Sequence, residues 1–151
     1  MRWEDYKEAF LSDGASRFIR INQTTLDDWY RFIDFLRKTQ AHLHYTIDGK
    51  TLPIPGDLRT LKLSREHSHL LTFQLGGLKL YCPFLTAKEI SFEVNPGDID
   101  NEMKARVLFR FMSTLGRELD KPVSLLRPEV PEQAIFQYER GEGLRFIRPG
   151  S

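Results

Sequence analysis

All four histidines of the chain fall in two H-x-H pairs, His42/His44 and His67/His69, with 22 residues between them. Residues two apart on a strand point the same way, so each pair presents two imidazoles to one side. Zinc or copper would accept such a set if the strands brought the pairs together. A metal-binding protein or a metal-dependent enzyme is therefore one reading. The local patterns work against it. His42 and His44 alternate with Leu43, Tyr45 and Ile47, which places them opposite the apolar residues of their own strand. His67 and His69 run in line with Leu71 and Phe73 and extend an apolar face. One pair is expected outward, the other inward or off the sheet end. A bend near Glu66 would be needed to join them, and a carboxylate such as Glu66 would have to be recruited, because no cysteine lies nearby.

Other reactive groups have plainer explanations. Asp98-x-Asp100-x-Glu102 has the opening of a calcium loop, but Met103 and Phe109 stand where that loop needs Gly and a carboxylate. Acids in a first helical turn account for the segment. Glu89 and Glu93 share one strand face with Ser91 between them, and a solvated face does not raise a carboxyl into the acid/base range. Cys82, the single cysteine, sits on an apolar face before Pro83, where burial makes a thiol inert. There is no G-x-S-x-G elbow, Walker loop or G-x-G-x-x-G. Gly76-Gly77-Leu78-Lys79 reads as a hairpin turn, not a phosphate cradle. Arg140, Arg145 and Arg148 form a modest C-terminal basic group that would meet an anion held between the sheet and the C-terminal segment.

The elements that must position these residues follow from periodicity. Residues 3–11 read as a short amphipathic helix carrying Trp3, Tyr6 and Phe10, ended by Asp13-Gly14. Phe18, Ile19 and Ile21 mark a strand over 17–22. A helix over 25–38 opens on Thr25 as N-cap with Asp28 three residues on, and carries Leu26, Trp29, Tyr30, Ile33 and Leu36, widened by Phe32 and Phe35. A strand over 42–47 turns at Asp48-Gly49 and returns through 51–54, where Pro53 and Pro55 mark an edge. Gly76-Gly77 closes a second hairpin that pairs Leu75 with Leu78, Phe73 with Leu80, Leu71 with Cys82 and His69 with Phe84. Residues 88–94 continue the meander with Ile90, Phe92 and Val94 inward. A second long helix is expected over 98–119, and its strand 88–94 and the strand 123–126 suit a parallel crossover. Residues 134–138 read as a strand or a helical turn, with Pro131 favouring the turn, and Leu144 to Arg148 as a last strand.

These elements predict one α+β domain spanning the chain. It has two layers: a mainly antiparallel sheet of five to eight strands with the helices 25–38 and 98–119 on one face. The opposite face is open and carries Thr72, Gln74, Lys79, Tyr81, Ser91 and Glu93, with His42 and His44 joining if their strand belongs to the sheet.

Composition narrows the class. Among 151 residues, 22 Lys+Arg nearly balance 21 Asp+Glu, which is not the profile of a nucleic-acid binder. The charged N-terminus lacks a signal-peptide core, no apolar run approaches the ~20 residues of a membrane span, and one cysteine permits no internal disulfide. A cytoplasmic location with no membrane association is the expectation. The leading expectation is a non-catalytic protein-binding module, of the immunity or antitoxin-like or adaptor kind, that uses the polar sheet face, with a homodimer through that face as a variant. The comparison with such modules rests on general appearance. Metal chemistry at the histidines and anion binding near the C-terminal arginines are the alternatives; no other cofactor is implied.

Overall fold

The computed structural model describes residues 2–11, 14–39, 42–60 and 67–147. The expected Asp13-Gly14 turn, the bend at Glu66 and Arg148 fall wholly or partly outside them. In chain order the elements are α1 (Trp3–Tyr6), β1 (Arg17–Asn22), α2 (Leu26–Lys38), β2 (His44–Ile47), β3 (Lys50–Thr51), β4 (His69–Leu75), β5 (Leu78–Pro83), β6 (Glu89–Val94), α3 (Glu102–Leu119), β7 (Val123–Arg127), β8 (Val130–Glu139) and β9 (Gly143–Phe146). The nine strands form one sheet in the order β3-β2-β4-β5-β6-β1-β7-β8-β9. Every neighbouring pair is antiparallel. The α+β class is as expected, with more strands and a third, very short α-helix.

Local chemistry starts and stops each element. Thr25 caps α2 with a reciprocal box: its backbone N–H donates to Asp28 Oδ2 at 2.9 Å, and the Asp28 N–H donates to Thr25 Oγ1 at 3.3 Å. Both hairpins turn through consecutive residues of positive φ, Asp48 and Gly49 at 50° and 84°, Gly76 and Gly77 at 49° and 89°. That conformation matches the twist of the strands it joins. The 76–77 hairpin has the register expected from its sequence, including Leu71 opposite Cys82 and a backbone bond from Phe84 N–H to the His69 carbonyl.

Four boundaries differ. The long second helix begins at Glu102 rather than at 98, because Asn101, not Asp98, is its N-cap and accepts from the Lys104 N–H at 2.9 Å. Residues 96–98 form a separate 3-10 turn held by Asn95 Oδ1. The N-terminal helix changes after Tyr6 into a 3-10 turn, Lys7–Phe10. The return strand after Asp48-Gly49 lasts only two residues before the prolines stop it. Residues 130–139 are a strand throughout: Pro131 lies where the β7–β8 register is already irregular, between the Leu126–Ala134 and Arg127–Val130 pairs, so its missing N–H interrupts no regular ladder.

The expected parallel crossover from β6 through α3 to β7 is present, with one strand inserted between its two ends. β6 and β7 run parallel, but β1 lies between them and pairs antiparallel with both. The N-terminal strand therefore occupies the gap that α3 spans.

One sheet face carries the core. Ile19, Phe73, Leu80, Ile90, Phe92 and Leu125 are fully buried on it. α2 and α3 cover this face: Phe32 stacks on Phe92 at 5.9 Å, and Phe111 lies 5.7 Å from Phe73. At the far end Tyr6 and Phe10 pack on Phe109 and Phe136. Gly116 of α3 accommodates the buried Tyr138 ring so closely that a Cβ there would collide with Tyr138 Cδ1 and Cε1. Alanine normally favours a helix by about 1 kcal/mol over glycine. Here forced displacement of a core ring outweighs that gain, at about 1–3 kcal/mol for overpacking. Gly116→Ala is expected to lower the urea unfolding midpoint; an unchanged or higher midpoint would show that Tyr138 moves aside freely.

Candidate functional site

Alternation along β4, β5 and β6 sends every second residue away from the helices. All six residues expected on the open face lie there. Gln74, Lys79 and Tyr81 are exposed; Thr72, Ser91 and Glu93 are half-buried. Register places Thr72 beside Tyr81, Tyr81 beside Glu93, and Gln74 beside Lys79. Lys79 Nζ stands 5.4 Å from the centre of the Tyr81 ring, a cation–π distance. The Tyr81 side chain, with 37% of the residue exposed, is the largest apolar surface among these six.

The face extends further than the meander. His44 pairs with Thr72 at one end, and Glu93 pairs with Phe18 at the other. Ser91 opposes Arg20, which in turn opposes Ser124. Arg20 and Asn22 are open-face residues that the sequence reading passed over. The signal was present in the alternation Ile19-Arg20-Ile21-Asn22, obscured by Phe18 beside Ile19. Arg20 Nε lies 3.1 Å from Glu89 Oε1, although its N–H is not aligned for a hydrogen bond. The contact is an ion pair without a directed bond, so Glu89 and Glu93 do not act as a matched carboxylate pair: one faces a guanidinium, the other the Tyr81–Phe18 row.

The histidines separate. His42 is exposed ahead of β2, outside any strand. His44 is exposed, its Nε2 3.0 Å from Thr51 Oγ1. His67, expected to extend the apolar face, is instead exposed and turned to Asp48 Oδ2 at 2.9 Å. The Ser68 backbone N–H, and then His67, hold the Asp48 carboxyl below its usual range. His69 does lie on the core face, 5% exposed, with Nδ1 2.8 Å from the Tyr45 hydroxyl and Nε2 without a partner among the described residues. β2 and β4 are neighbours, but His69 pairs with Ile47 and His44 with Thr72, on opposite faces. Among the described residues no group of three or more His, Cys, Asp or Glu side chains is placed to hold a metal ion.

Cys82 is fully buried, and burial pushes its thiol far above the ordinary range. Of the C-terminal basic group, Arg140 is bound to Asp120 at 2.8 Å, and Arg145 lies 3.3 Å from Glu142 and 3.8 Å from Glu139. Those two guanidinium groups are already matched to acids. No helix among the described residues is long and apolar enough to cross a membrane.

Fold and site together define an α+β protein with one helix-covered and one open, polar sheet face. Comparison with protein-family models, with curated proteins and with solved structures finds no match.

Two outcomes test these placements. Tyr45→Phe strips the His69 ring of its one hydrogen-bond partner among the described residues and is expected to cost about 1–3 kcal/mol, as for an orphaned buried polar group, whereas His44→Ala stays within about 0.5 kcal/mol; urea unfolding of both variants compares them, and equal effects would contradict the burial difference. Native Cys82 is expected to react with a disulfide reagent only as fast as the protein opens. Rapid stoichiometric labelling without denaturant would place the thiol at the surface.

Proposed function

We propose that the chain is a non-catalytic protein-binding module, immunity-like or adaptor-like in kind, that docks a partner protein on the open sheet face. The observation that carries this reading is the cross-strand row Thr72–Tyr81–Glu93 with Lys79 above the Tyr81 ring. A rigid sheet holds an exposed aromatic among charges of both signs. Tyr is enriched at binding hot spots, where a large ring is buried at low conformational cost, and flanking charges set orientation and partner choice. Glu89 and Glu93 on the same face disfavour a phosphate backbone and favour a partner of mixed charge. A stable complex typically covers roughly 800 Å² per partner, which requires the face to be used beyond the six residues, towards His44 and Phe18.

The test compares the wild-type chain with Tyr81→Glu, both captured from native extract and analysed by mass spectrometry and light scattering. Wild type is expected to retain a stoichiometric partner, cross-linked through Lys79, that Tyr81→Glu loses at unchanged melting temperature. Loss of a wild-type dimer in the variant would make the partner a second copy of the chain. Identical retention by the two proteins, or a bare monomer in both, sinks the proposal.

A further inference from the structure

Residues of the N-terminal segment, β1, β7 and β8 together line a concavity of about 1090 Å³. Its position differs from that of the Tyr81 row, and its chemistry is different. Arg20 and Arg127 both line it, and the Nε of each is shut off from solvent without a hydrogen-bond partner among the described residues. Arg20 has Glu89 for company. For Arg127, no hydrogen bond or ion pair within the described residues offsets the charge. A half-buried guanidinium that no acid neutralises is available to an anionic group entering the concavity.

The rest of the lining is two-sided. Ser124 and Gln137, neighbours in register, add hydroxyl and amide groups next to Arg20. Leu126 and Ile135 add apolar wall. Asp5, Glu8 and Glu132 also line the opening and are exposed. These acids work against a highly charged anion and tolerate a ligand with one negative head.

We propose that this concavity is a binding site for an organic monocarboxylate with an apolar body, its carboxylate received by Arg127 and its body laid against Leu126 and Ile135. The planar guanidinium matches a carboxylate with two parallel N–H donors. The arginines singled out from the sequence, Arg140 and Arg145, are matched to acids and have no part in it.

The test uses the full chain, labelled for NMR, with phenylacetate and inorganic phosphate as probes. A buried Nε–H exchanges slowly with water, so the Arg127 Nε–Hε signal reports directly. Phenylacetate is expected to move it saturably, and phosphate is not. Arg127→Met is expected to weaken phenylacetate binding roughly tenfold or more, the worth of a charge-assisted hydrogen bond, without lowering the melting temperature. Three results would overturn the proposal: no saturable shift with phenylacetate, phosphate binding of equal strength, or undiminished binding by Arg127→Met. A melting temperature lowered in both Arg127→Met and Arg127→Gln marks a structural arginine and overturns it as well.

Discussion

The sheet depends on β1 being held between β6 and β7. It pairs along six residues with one neighbour and along three with the other, and without it the sheet divides into a five-stranded part, β3-β2-β4-β5-β6, and a three-stranded part, β7-β8-β9. The side chain at the head of this strand adds a second constraint. Arg17 is fully buried, and its guanidinium donates to the carbonyls of Ala9 at 2.9 Å, Leu11 at 3.1 Å and Ala15 at 3.2 Å. These carbonyls belong to the segment that carries Tyr6 and Phe10 into the core. Buried carbonyl groups need donors, and one guanidinium with its donors in a fixed fork supplies several at once. The same residue thus ties the N-terminal segment to the central strand and fixes the direction from which Tyr6 and Phe10 reach Phe136.

Two-sidedness follows from that arrangement. The strands of the central meander alternate between buried and outward-facing residues, and the apolar stripes of α2 and α3 cover one sheet face. The Phe32, Phe73, Phe92 and Phe111 cluster seals that side. The polar residues are then left together on the other side, over strands far apart in sequence. Reactive groups that the sequence brings to attention are placed apart: His69 and Cys82 are buried on the core side, and His44 is exposed on the other face.

Legibility was uneven for physical reasons. The two glycine-containing turns and the strict alternation over 69–94 specify pairing locally, because a slip of one residue would exchange the two faces. The hairpin register and the six open-face residues were therefore readable. The cap of α2 was readable for a similar reason, since Thr25 and Asp28 are neighbours in sequence. The start of α3 was not: Asp98, Asp100 and Asn101 are all plausible caps, and Ile99, drawn into the core, settled the choice by holding residues 96–98 in a separate turn. β8 was hidden by Pro131, whose local preference gave way to pairing with β7.

Sequence alone determined which residues alternate, where the tight turns fall, and which side chains are too apolar to face water. Those properties depend on neighbours one to four positions apart. Tertiary structure decided that β1 enters between β6 and β7, that His67 turns outward while His69 is enclosed with Tyr45, and that Arg140 and Arg145 meet acids while Arg127 meets none among the described residues. Each of those outcomes depends on contacts between segments distant in the chain, where burial and charge pairing, rather than local propensity, select the arrangement.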